Sequence, residues 1–167
     1  MRFRGIEPAM GLAFILLLLF GIGFVCGLRS MTAPAVVCWG AHLGWLQLAG
    51  SPSGFFAHPA SLIIFTIFAF GELVADKLPF IPRRTMLGPL LVRLVFGAVC
   101  GAALCVAREL ALPYGVLLGA LGAVIGAYAG FHYRRLIPAS SRSTQFFAAL
   151  LEDVVAVGGG LLIVSRF

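Results

Sequence analysis

The chain has 167 residues, of which 61% are hydrophobic and 11% charged, with a mean hydropathy of +1.07. A soluble domain has roughly 45–50% apolar and about 25% charged residues, so a water-soluble globular monomer is excluded: it would have nowhere to hide the surplus apolar surface. The formal net charge of +6 comes from Lys and Arg scattered mostly at segment ends, with no basic stripe interleaved with aromatics, and nucleic acid is excluded as a partner.

Long unbroken apolar runs replace the period-two alternation of a membrane barrel, so helices that satisfy their own backbone are expected. In chain order these are Ala9–Leu28, Ala33–Leu48, Ala60–Asp76, Leu87–Ala107, Tyr114–Tyr133 and Thr144–Val164. Arg2 and Arg4 before the first run could suggest a secretory or lipoprotein signal. The run is long enough to span, however, and no small-x-small cleavage site closes it, so it is expected to be kept. The second segment is about 24 Å long at 1.5 Å per residue, less than the roughly 30 Å hydrocarbon core. It is therefore a short span or a re-entrant helix, and Thr32-Ala33-Pro34 is its start signal. Breakers separate the segments: Gly50 to Gly54, Pro79 with Pro82, Pro113, and Pro138 to Ser141.

An internal repeat organises these segments. Shifting the chain by 79 residues places Cys26 on Cys105, Arg29 on Arg108, Pro34 on Pro113, Val37 on Val116, Gly40 on Gly119 and Ala41 on Ala120. One further inserted residue brings Ala69 onto Ala149, Glu72 onto Glu152 and Val74 onto Val154. Each half then holds three spans. An odd number inverts the second half relative to the first. The expected architecture is an all-α membrane protein, one membrane domain over 1–167, with inverted repeats at 8–78 and 87–166. Lys and Arg in the connections favour an extracytoplasmic N-terminus, with Arg29, Lys77, Arg83, Arg84, Arg134, Arg135 and Arg142 inside.

Charges inside spans are costly, at about 2.5–3.5 kcal/mol each on insertion scales, and mark candidate function. Glu72 and Asp76 share a face of the third helix, while Glu152 and Asp153 diverge on the sixth. Arg93 lies in the fourth. The repeat predicts that Glu72 and Glu152 face each other, able to hold a proton or cation. The competing reading is structural: Arg29 and Arg93 neutralise the two glutamates. The steps from Arg29 to Pro34 and from Arg108 to Pro113 combine a helix start with a guanidinium, a combination suited to an anion. Arg83-Arg84 and Arg134-Arg135 read as headgroup contacts. Gly115, Gly119, Gly122, Gly126 and Gly130 form small-residue ladders for tight helix packing, within or between subunits. Cys26, Cys38, Cys100 and Cys105 read as small core hydrophobes, and His42, His58 and His132 have no ligand spacing, so neither a metal nor a cofactor is expected. No nucleophile–base set or phosphate loop appears, so an enzyme is not expected.

Three stretches, Gly27-Leu28-Arg29-Ser30-Met31-Thr32-Ala33-Pro34-Ala35, Glu72-Leu73-Val74-Ala75-Asp76-Lys77-Leu78-Pro79 with Pro82-Arg83-Arg84-Thr85, and Leu151-Glu152-Asp153-Val154-Val155-Ala156, resemble a bacterial membrane family catalogued as domain of unknown function 4126. The resemblance implies a small integral membrane protein and no particular activity. A weaker likeness is to inverted-repeat cation–proton exchangers, whose hallmark is Glu-x-Gly-Asp-Lys/Arg-Ser/Thr. Here Glu72 to Lys77 has one more residue between the acids and no Gly, and Ala156 stands at the place matching Asp76.

The functional expectation is a multi-pass transporter of the inner (plasma) membrane. It would move a small solute or ion coupled to protons or cations, with Glu72 and Glu152 exchanging and Arg29 and Arg108 anchoring the short helices. Membrane lipids and a second copy in a homodimer are the expected protein-level partners. The alternative is a non-transporting scaffold or lipid-binding protein with structural ion pairs.

Overall fold

The structure is a computed structural model describing residues 8–75, 87–136 and 142–167. Asp76, Lys77, Arg83, Arg84, both N-terminal arginines and the Pro-containing connections at 79–82 and 138–141 lie outside the described residues. Six α-helices are present among them: α1 Pro8–Leu28, α2 Thr32–His42, α3 Pro59–Ala75, α4 Leu87–Ala107, α5 Leu112–Leu136 and α6 Arg142–Val164. A 3-10 turn, Gly54–Ala57, precedes α3. No strand occurs among the described residues. Four segments are long and apolar enough to cross a membrane: Gly11–Leu28, Leu87–Ala107, Leu112–Leu136 and Phe146–Val164. The protein is an all-α membrane protein.

Close packing contacts give the direction of each helix. A Cβ at Gly23 would strike Gly119, and one at Gly27 would strike Ala123, so α1 and α5 run parallel. Gly97 meets Gly119 and Gly101 meets Gly115, so α4 runs against α5. Gly21 abuts Ile163 and Gly160 abuts Val25 and Val36, while Gly40 abuts Val164. Hence α6 runs against α1 and along α2. Trp39 bonds Thr66 at 3.2 Å and Met31 bonds Glu72, so α3 runs against α2. The six helices alternate in direction along the chain.

The glycine ladder of α5 divides between two neighbours. Gly115 and Gly119 lie on the backbone of α4, and Gly122 and Gly126 lie on the carbonyls of Phe20 and Phe24 in α1. Gly130 is buried on the same helix. Such close approach requires residues without a Cβ. These contacts fall within one chain.

The second helix departs from expectation. It was expected over Ala33–Leu48 but ends at His42, giving 11 residues and a length of roughly 16 Å. The reason is local. Gly44 adopts φ +78°, and the N–H groups of Trp45 and Leu46 both bond the Gly40 carbonyl at 2.9 and 3.1 Å. This is a glycine-terminated helix end. Residues 43–58 then fold back, burying Leu46, Leu48 and Phe56 in the core.

Candidate functional site

The polypeptide breaks helix between Leu28 and Thr32, and the break is not at a surface. Arg29 has no exposed area, and Ser30 and Thr32 are buried with it. Every helix break leaves carbonyls at one end and N–H groups at the next, and lipid offers these no partners. Charged side chains from other helices supply them here. Arg93 of α4 donates to the Gly27 carbonyl at 2.6 Å and to Ser30 Oγ at 3.2 Å. Glu72 of α3 accepts from the N–H groups of Ser30 and Met31, each at 2.8 Å, one on each carboxylate oxygen. The positive group thus sits at the C-terminal end of α1 and the negative group at the N-terminal end of α2. Both match the helix dipoles.

Arg29 itself spans the layer. Its guanidinium forms an ion pair with Asp153 of α6 and donates to the Glu72 carbonyl at 3.4 Å. One residue earlier on α6, Glu152 accepts from Arg134 of α5 at 2.9 Å, its own side chain only 3% exposed and that of Arg134 32% exposed. Glu152 also lines a cavity of about 240 Å³, otherwise walled by Phe24, Leu28, Gly130, Tyr133 and neighbouring apolar residues. Arg93 is six residues into α4, and Glu152 is six residues into the apolar span of α6. Each lies roughly 9 Å from the start of its span. All six helices or the turns beside them therefore contribute to one charged layer inside the apolar bundle.

This placement sorts the residues singled out in the sequence. Arg29, Glu72, Arg93, Glu152 and Asp153 come together. Asp76 lies outside the described residues. Arg108 does not join them. It is exposed, bonds the backbone carbonyl of Arg166 and lies over the Phe167 ring. The cause is helix direction. Because α4 runs against α1, the turn after α4 falls at the opposite end of the bundle from the turn after α1, with Glu109 in the left-handed region at φ 55°. The turn matching Arg29 in the first half opens instead onto the 11-residue α2.

Three further expectations are revised. The anion suited to the Arg29–Pro34 step is the protein's own Glu72 carboxylate. The expected Arg29–Glu72 pairing is replaced by Arg29–Asp153, with Glu72 on backbone N–H groups. Arg134, read as a headgroup contact, reaches inward to Glu152. The role of Arg93 as a cap for α1 was missed in the sequence; an arginine mid-span opposite a helix break was its available signal. No group of three or more His, Cys, Asp or Glu suited to a metal occurs among the described residues.

Apolar helices of spanning length around a shared charged layer define a multi-pass integral membrane protein. A family model described as Domain of unknown function (DUF4126) matches residues 16–165, and the chain belongs to that family. No curated protein and no solved structure matches the chain.

Proposed function

We propose that this protein is a small transporter of the inner membrane, moving a small ion or solute in exchange for protons, with Glu152 as the exchanging carboxylate. One observation carries the reading: Glu152 is a buried acid on the wall of a cavity, and its partner Arg134 is partly exposed. A buried carboxylate beside an open groove and paired with a partly exposed arginine is nearer the outside than Glu72, which ends on two backbone N–H groups. Ionisable groups are rare inside membranes and are concentrated on ion and proton pathways. Glu72, Arg93, Arg29 and Asp153 are then positioning residues that hold the α1–α2 break. The 79-residue repeat supports an inverted pair of three-helix halves with divergent roles for the two matching glutamates.

The scaffold reading keeps one specific support. The charges of the layer are engaged with one another and with backbone. Proteoliposomes with an entrapped pH dye separate the two. Under imposed sodium, potassium, magnesium or phosphate gradients, wild type is expected to drive a pH change in at least one case. Glu152→Gln is expected to abolish it. Wild type indistinguishable from empty vesicles, or Glu152→Gln equal to wild type, would favour the scaffold.

A further inference from the structure

Helix α6 runs unbroken from Arg142 to Val164 through three consecutive glycines, Gly158, Gly159 and Gly160. Glycine inside a helix is less stable than alanine, because it loses more conformational freedom on folding. Close packing explains such a choice elsewhere in this bundle, where a Cβ on Gly115, Gly119, Gly122 or Gly126 would strike backbone. It does not explain this run. A Cβ on Gly158 would meet nothing within 4 Å, and one on Gly159 would make only ordinary contact with Val25 at 3.9 Å. Of the three, only Gly160 is tight, against Val36.

The glycines separate two unlike halves of α6. On the C-terminal side, Ile163 and Val164 are buried and seat against Gly21 of α1 and Gly40 of α2. On the N-terminal side, the buried apolar residues among those described are alanines, Ala148, Ala149 and Ala156, which bury little area. That half is tied by charge instead: Asp153 to Arg29 of the α1–α2 turn and Glu152 to Arg134 of α5. Protein does not wall it in. An open groove of about 240 Å³ passes Leu151, Glu152 and Val155 beside α5, and another of about 470 Å³ passes Val157 and Leu161 beside α2 and α3. In contrast, α1, α4 and α5 meet backbone to backbone at Gly23, Gly97, Gly101 and Gly126 and form a rigid support.

From this arrangement we infer that Gly158 and Gly159 are a hinge, about which the half of α6 carrying Glu152 and Asp153 tilts away from α5 when Glu152 leaves Arg134. The tilt widens the groove beside Glu152 and so regulates access to it, a role that rests on exchange at that carboxylate. Around Glu152 stand Arg134 and Tyr133 of α5, Asp153 on its own helix and, beyond Asp153, Arg29. The Arg134 side chain is 32% exposed and can be rehydrated, whereas Arg29 is fully buried, so the tie to Arg134 is the one that opens. Asp153 keeps its partner, and the C-terminal end stays seated.

Double electron–electron resonance on the full-length protein in nanodiscs reads the tilt. A spin label at Phe147 or Leu162 of α6 is paired with one at Val95 of α4, all exposed positions. Both distances are expected to be narrow in the otherwise native chain. Glu152→Gln and Arg134→Gln cut the same tie from either side. Each should broaden the Phe147–Val95 distance and shift it outward by up to about 5 Å, the reach of a bend of roughly 20° at the glycines, and leave Leu162–Val95 unchanged. Adding Gly158→Ala with Gly159→Ala, which fit the space, should restore the narrow distance. No shift at Phe147 in either tie variant, equal shifts at Phe147 and Leu162, or a shift that survives the two alanines would overturn the hinge. Proton flux separates the hinge from the exchange reading. A tilt seen in a protein without flux keeps the hinge and removes the exchange. Flux at the wild-type rate in the two-alanine variant overturns the hinge's role, for which a loss of about tenfold is expected.

Discussion

Two carboxylates of similar standing in the sequence do different work. Glu72 ends on two backbone N–H groups and Glu152 ends on a guanidinium. Replacing Glu72 by Gln removes the charge that matches the α2 dipole and sets an amide N–H₂ against a backbone donor. Thermal unfolding in detergent should show a loss of about 2 kcal/mol, in the range for hydrogen bonds to charged groups. The Arg29–Asp153 pair follows a different rule. Removing either partner takes the opposite charge away from a buried ion, at about 3–5 kcal/mol, whereas replacing both with apolar residues of similar volume relieves much of that. A double-mutant cycle of Arg29→Met and Asp153→Leu is expected to show the double variant more stable than either single one. The identity of these charged residues was legible in the sequence, because a charge within an apolar run is conspicuous. Their pairing was not. Arg29 and Asp153 are 124 positions apart, and no local pattern says which acid an arginine meets.

At the scale of elements, the glycines of the bundle fall into two kinds. A Cβ at Gly119 would collide with the Gly97 carbonyl, whereas one at Gly71 or Gly158 meets nothing within 4 Å. Gly119→Ala must therefore separate α4 from α5, and overpacking of that sort costs about 1–3 kcal/mol. Gly71→Ala, in contrast, should raise the unfolding temperature slightly, since alanine in a helix gains roughly 0.5–1 kcal/mol over glycine. Circular dichroism melts of the two variants are expected to move in opposite directions. The ladder on α5 was readable from spacing alone. Which glycine meets which helix required the tertiary structure. The true end of α2 had a signal in the sequence, since Gly44 stands two residues after His42. Continuing hydrophobic residues, Trp45, Leu46 and Leu48, masked it: Leu46 and Leu48 are buried by the returning loop rather than by a helix, and Trp45 stays exposed.

For the whole molecule, alternating helix direction puts the α2–α3 connection and the α4–α5 turn at one end of the bundle, and the C-terminal end of α5 at the other. Cysteines introduced at Gln47 and Glu109 should therefore react with a membrane-impermeant maleimide from the same side, and one at Arg135 from the opposite side. The four native cysteines are buried, so background labelling should be low. The all-α membrane architecture was legible from composition and run length. The unlike surroundings of the offset-matched residues were not. The 79-residue offset equates Arg29 with Arg108 and Glu72 with Glu152, yet Arg29 is enclosed and Arg108 exposed, and the two glutamates have unlike partners. The offset matches residue types, while packing decides which of the two turns is enclosed.

The proposed division of labour in the charged layer has Glu152 exchanging protons and Glu72 holding a helix end. Infrared difference spectroscopy of the protein in liposomes, titrated from neutral to acidic pH, reads carboxyl protonation directly. The expected result is a protonated-carboxyl band in wild type that persists in Glu72→Gln and loses a component in Glu152→Gln. A band unchanged by Glu152→Gln but diminished by Glu72→Gln would contradict it.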